Sequence, residues 1–140
     1  MVLDGSRRRC EGGPLTLDDV HRYLLEKPSA VEDRPFDPDV PVFKVGGKMF
    51  AYTIPSRRPP WLTIKCDPFH AELLCEAYAA VRPGYHTNKR HWITVVLDGS
   101  VPGDELRDWI DESYDLVVAG LPRRARETLV SKCGKGREGR

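Results

Sequence analysis

Apolar residues follow two different spacings along this chain, and the changes between them outline a mixed fold. Leu17, Val20, His21 and Leu24 recur at helical spacing. Thr16 with Asp19 three residues on reads as a capping box at the start of that helix, with Asp in place of the usual Glu, and Pro28 lies beyond its end. Residues 42–45 and 48–54 flank Gly46-Gly47, a strong hairpin signal. A regular two-residue turn pairs Val45 with Lys48 and Phe43 with Phe50. It predicts Phe43, Val45, Phe50 and Tyr52 on the core side, with Lys44 and Thr53 turned away. The stretch 31–41 has Pro35, Pro38 and Pro41, so it is expected to be a loop or a short edge strand.

The alternation resumes at 61–66, where Leu62, Ile64 and Cys66 oppose Trp61, Thr63 and Lys65. Asp67 followed by Pro68 predicts a capped helix, with Phe69, Leu73, Ala77 and Tyr78 inward and Arg82-Pro83-Gly84 as its stop. In the strand 92–97, Ile93, Val95 and Leu97 oppose Trp92, Thr94 and Val96. A helix over 103–119 turns Leu106, Trp109, Ile110 and Val117 inward, together with Leu121 beyond it, and Pro122 opens a short last helix through Leu129. The pattern predicts an α+β fold: a two-layer sandwich of a twisted antiparallel sheet with helices on one face. The domain is expected over 16–130. Tails at 1–15 and 131–140, the second basic, are rich in Gly and Arg and are expected to be disordered.

A length of 140 residues suits one domain, large enough to bury a core without disulfides or metals. No apolar run approaches membrane-spanning length, and no apolar h-region follows the basic N-terminus, so a cytoplasmic protein without membrane contact is expected. Cys10, Cys66, Cys75 and Cys133 form no Cys-x-x-Cys pair and are expected as reduced thiols. His86 and His91 lie in a loop rather than one turn apart on a helix. Asp104, Glu105, Asp108, Asp111, Glu112 and Asp115 read as a solvated helix face. Neither a metal nor a cofactor is expected. With no nucleophile motif, paired carboxylates or phosphate loop, no catalytic residue is expected, and the role predicted is non-enzymatic.

Charge changes the picture further. The formal net charge of +1 hides 12 Lys and Arg against 17 Asp and Glu over 16–122, and 7 against 2 over 123–140. An acidic folded part excludes bulk binding of polyanions, so an anion site must be a local patch. The segment Arg82–Asp98 offers one, with Arg82, His86, Lys89, Arg90 and His91 around Tyr85 and Trp92. Its cations can neutralise phosphates, Asn88 can pair with a base edge, and Tyr85, His86 and Trp92 can stack on unpaired bases. One sheet face should carry Lys44, Trp61, Thr63, Lys65, Trp92 and Thr94. Two Trp on such a face suggest a contact surface. Trp61, Thr63, Trp92 and Thr94 are thus an alternative site for a small aromatic ligand or a protein partner.

Three segments carry a family resemblance: PFDPDVPVFKVGGKMFA over 35–51, LTIKCDP over 62–68 and PGYHTNKRHWITVVLDG over 83–99. In these the chain resembles the MmcQ/YjbR family of small bacterial proteins, over about Leu17 to Leu129. The resemblance implies a fold like that of the bacterial frataxin CyaY and DNA binding by a double wing whose hairpins or loops straddle the duplex. Carried onto this chain, one wing is the Gly46-Gly47 hairpin with Lys44 and Lys48, and the other is the loop from Tyr85 to His91. Arg57 and Arg58 add charge in the proline-rich loop. The wings and the basic-aromatic patch together make Lys44, Lys48, Arg57, Arg58, Lys65, Tyr85, His86, Asn88, Lys89, Arg90, His91 and Trp92 the candidate DNA-binding residues. Frataxin-like iron binding is not carried over, because the first helix sets only Asp18, Asp19 and Glu26 against Arg22 and Lys27.

Overall fold

The computed structural model describes residues 14–84 and 91–126. In chain order the elements are α1 (Leu17–Glu26), β1 (Val31–Asp33), β2 (Val42–Val45), β3 (Lys48–Ile54), β4 (Trp61–Lys65), α2 (Pro68–Ala77), β5 (Val81–Pro83), β6 (Trp92–Val96) and α3 (Gly103–Ala119). The strands form one sheet in the order β1-β2-β3-β4-β6-β5, antiparallel at every junction. This is the expected α+β architecture. The two short edge strands were the least visible in the sequence. Pro83 sits in one of them, where its missing N–H breaks no ladder. The expected tails lie outside the described residues, save for 14 and 15, as does the end of the last helix. Among the described residues no helix is long and apolar enough to cross a membrane.

Local signals set the element starts as expected. Thr16 Oγ1 accepts from the Asp19 amide, and Asp19 accepts from the Thr16 amide, each at 3.1 Å. Asp67 accepts from the amides of Phe69 and His70 at 3.1 and 3.2 Å, with Pro68 at the first helical position. Gly46 and Gly47 take φ of 60° and 81°, the paired positive values of the hairpin turn that matches strand twist. The core lies between sheet and helices. Phe43, Leu62, Ile64, Ile93 and Val95 from the sheet meet Val20 and Leu24 of α1 and Leu106 and Ile110 of α3.

The hairpin departs from its expected register. Val45 pairs with Lys48 and Lys44 with Met49, but Phe43 pairs with Ala51, so Phe50 is an extra residue in a β-bulge. A bulge shifts pairing by one and reverses the facing of the residues beyond it. Thr53 therefore turns toward the helices, 2.9 Å from His21 Nε2, while Tyr52 pairs with Thr63 on the other face. Phe50 itself remains in the core, edge-on to Tyr114 at 5.3 Å.

Helix α2 also buries a different stripe from the one expected. Ala71 and Leu74 are buried, whereas Phe69 and Leu73 are 69% and 48% exposed. Its sequence holds two apolar stripes, and the buried one includes the small Ala71, which lets the helix approach β5 and β6. Tyr78 does turn inward, edge-on to Trp109 at 5.1 Å.

Two acidic side chains of α3 expected to be merely solvated are engaged. Asp111 Oδ1 accepts from Tyr23 Oη and Lys27 Nζ, each at 2.7 Å. The Lys27 ammonium also lies 5.5 and 5.2 Å from the Tyr23 and Tyr114 ring centroids. Burial, with the Asp111 bond, raises the Tyr23 phenol well above its ordinary range. Glu112 meets His70, as described below.

Burial holds His21 below its ordinary pKa, against weaker opposing pulls from Glu32 and Asp18. The unfolded chain therefore takes up this proton at a higher pH than the folded chain does. Stability is full above the ordinary value of about 6.5 and declines as pH falls below it. Urea midpoints should drop as pH falls from about 6.5 to 5.5, and His21→Gln should flatten that slope. A slope identical to that of the parent chain would assign it to another group.

Candidate functional site

Strands β4 and β6 set Trp61 opposite Val96, Thr63 opposite Thr94 and Lys65 opposite Trp92. Leu62 and Ile64 point into the core, so Trp61, Thr63 and Lys65 occupy the face turned away from it. At its centre the hydroxyls of Thr63 and Thr94 bond one another at 2.8 Å, and both residues are buried. Half-buried Trp61 and Trp92 stand on either side of this pair, four residues or about 13 Å apart along the strands.

Cations cover both indoles. The Arg57 guanidinium carbon lies 4.3 Å from the Trp61 ring centroid, and that of Arg82 lies 5.9 Å from the same ring. Lys65 Nζ lies 5.9 Å from the Trp92 centroid. These are cation–π distances. Arg57 comes from the loop between β3 and β4. Arg82 comes from β5, where it pairs with Thr94. Asp98 lies at the rim. Its carboxyl is held below the usual range first by the Ser100 hydroxyl and amide, and more weakly by Arg82.

The structure thus gathers Arg57, Trp61, Thr63, Lys65, Trp92 and Thr94 on one face. The other expected residues are spread out. Lys44 Nζ is drawn to Asp33 Oδ2 at 3.2 Å, Lys48 is exposed on the hairpin, and Arg58 is exposed in its loop. His91 is exposed ahead of β6, its carbonyl accepting from the Cys66 amide at 2.8 Å. Tyr85, His86, Asn88, Lys89 and Arg90 lie outside the described residues. Arg82, expected in the basic patch around Tyr85 and Trp92, joins this face over Trp61 instead. Only knowledge that residues 81–83 form a strand beside β6 would have aimed it at Trp61.

A second convergence was missed altogether. Cys66, His70 and Glu112 bring a thiol, an imidazole and a carboxylate within 4.8 Å of one another. His70 Nδ1 donates to Glu112 Oε1 at 2.6 Å, and Cys66 Sγ lies 4.0 Å from Glu112 Oε2. Burial first, then the Glu112 and Asp67 carboxylates, push the Cys66 thiol up to about 12. The Cys-x-x-x-His spacing across the Asp67-Pro68 helix start was the available signal, but its third member is 42 residues away.

The YjbR family model matches residues 25–116. The chain belongs to the YjbR family. It is 41% identical over 108 residues to the protein YbdF of Escherichia coli O157:H7, covering 77% of this chain and 88% of that one. It is 35% identical over 116 residues to YjbR of Escherichia coli K12, covering 83% and 98%. The crystal structure of Deinococcus radiodurans DR2400, a DUF419 domain, superposes with a TM-score of 0.77 at 38% identity, covering 86% of this chain and 89% of that one. A Pseudomonas syringae crystal structure superposes at 0.65 and 26%, covering 73% and 98%. None of these names states an activity, so YjbR membership leaves function to the geometry.

Proposed function

We propose that this YjbR-family chain is a non-enzymatic DNA-binding protein that contacts the phosphate backbone through the cation-covered Trp face. One observation carries the reading: Arg57 and Arg82 stack on the same Trp61 ring. Their distances to its centroid hold the two guanidinium groups within about 10 Å of each other. Two guanidinium groups over one ring present planar, charged donors to a phosphate group at this end of the face. Lys65 over Trp92 extends the positive strip along the sheet. The acidic remainder of the domain confines binding to this strip. Arg58, exposed in the same loop as Arg57, supplies a further phosphate contact. An aromatic small molecule between the two Trp is the weaker reading, because Thr63 and Thr94 are buried and engage each other.

Fluorescence anisotropy with single-stranded and duplex oligonucleotides at two salt concentrations tests this. Roughly four phosphate contacts predict a log–log salt slope of about −3 on single strands and slightly steeper on duplex. Arg57→Glu with Arg82→Glu should weaken binding about tenfold or more at fixed salt. Binding that ignores salt, or an affinity the double variant leaves unchanged, would refute the proposal.

A further inference from the structure

We propose that Cys66, His70 and Glu112 form a binding site for one zinc-type divalent cation. Three elements deliver the donors. Cys66 directly follows β4, His70 lies in the first turn of α2, and Glu112 projects from α3. The spacing of the first two is set by the helix cap, because Asp67 ties down the amides of Phe69 and His70. The Cys66 amide is anchored to the His91 carbonyl at 2.8 Å, and the Asp67 amide reaches Glu112 Oε2 at 3.4 Å. The donors are thus positioned by backbone bonds independent of any metal.

The three donors, all within 4.8 Å of one another, reach zinc geometry by side-chain shifts of about an ångström. Ligand bonds near 2.0–2.3 Å in a tetrahedron place donor atoms about 3.3–3.6 Å apart. The sulfur–carboxylate separation of 4.0 Å must close by about half an ångström, and the 2.6 Å imidazole–carboxylate pair must open by slightly more. That opening is what occurs when a metal replaces a shared proton. A thiolate, an imidazole and one carboxylate suit zinc and disfavour magnesium or calcium, which seek all-oxygen shells. The His70 and Glu112 side chains are 35% and 27% exposed, so the cation has an entry path and a fourth position open to water.

The test uses the full chain with Cys10, Cys75 and Cys133 changed to Ser, so that Cys66 is the only thiol. Co²⁺ is titrated in as a spectroscopic stand-in. One equivalent should produce a thiolate-to-cobalt charge-transfer band and tetrahedral d–d absorption, both removed by added Zn²⁺. Zn²⁺ should also raise the melting temperature. Cys66→Ser in that background should abolish the charge-transfer band. His70→Ala and Glu112→Gln should each weaken metal affinity about tenfold or more. His70 is partly exposed, so its loss leaves the fold intact and the result readable even if Cys66→Ser unfolds. No charge-transfer band in the single-thiol chain, or unchanged affinity in His70→Ala, would overturn the site.

Discussion

Phe50→Ala should lower the free energy of unfolding by about 4 kcal/mol, among the largest effects expected of a single substitution in the core. The ring is fully buried and packs edge-on to Tyr114 of α3 at 5.3 Å. Truncation removes its transfer free energy, opens a cavity between the sheet and α3, and forfeits an aromatic pair contributing about 1 kcal/mol. Urea unfolding followed by circular dichroism measures the loss as a lower midpoint at unchanged slope. A loss below about 1.5 kcal/mol would place the ring outside the core. Phe69→Ala is the internal comparison, because Phe69 is as large but largely exposed. It should change stability by no more than about 0.5 kcal/mol. If Phe69 proved as costly as Phe50, the inward stripe of α2 would be the one that simple periodicity predicted.

That comparison marks where sequence reasoning succeeds and where it stops. Signals confined to a few neighbouring residues were legible: the capping box at Thr16, the Asp67-Pro68 start, the Gly46-Gly47 turn and the alternation of β4 and β6. The choice between two apolar stripes on α2 was not, because it depends on how closely Ala71 lets the helix approach a sheet edge. The candidate face was half legible. Alternation placed Trp61, Thr63 and Lys65 together, and similar alternation placed Trp92 and Thr94, so antiparallel pairing of the two strands completed the set. The stacking of Arg57 and Arg82 on one indole was not legible, since it joins a loop to a three-residue edge strand. The Cys66–His70–Glu112 cluster stayed hidden for a similar reason. Its acidic member looks like any other carboxylate on a polar helix face until α3 is laid across the sheet.

The bulge at Phe50 is the clearest case of a local feature with a distant cause, and Ser113 should reveal it. Nothing in residues 48–54 announces a bulge. Beyond Ala51 opposite Ile64, β3 and β4 no longer pair, and the next rung would join Phe50 to Lys65. Ser113 of α3 fills that rung. Its Oγ accepts from the Lys65 amide at 2.8 Å and donates to the Phe50 carbonyl at 2.6 Å, so one hydroxyl relays a missing ladder bond. Ser113 is fully buried. Ser113→Ala therefore removes a single oxygen yet orphans a backbone donor and a backbone acceptor. At about 1–3 kcal/mol for each unsatisfied buried group, the expected loss is about 3 kcal/mol. A loss below about 1 kcal/mol would mean that a water molecule takes the place of the hydroxyl. Amide hydrogen exchange distinguishes this relay from simple packing: the Lys65 amide should lose protection in Ser113→Ala, while the Leu62 amide, within the intact pairing, keeps its own. Because Lys65 is the cross-strand partner of Trp92, fraying at this rung should also loosen the cation over that indole. Ser113→Ala should then weaken oligonucleotide binding without altering any side chain on the binding face, and it should do so by less than the loss of Arg57 and Arg82.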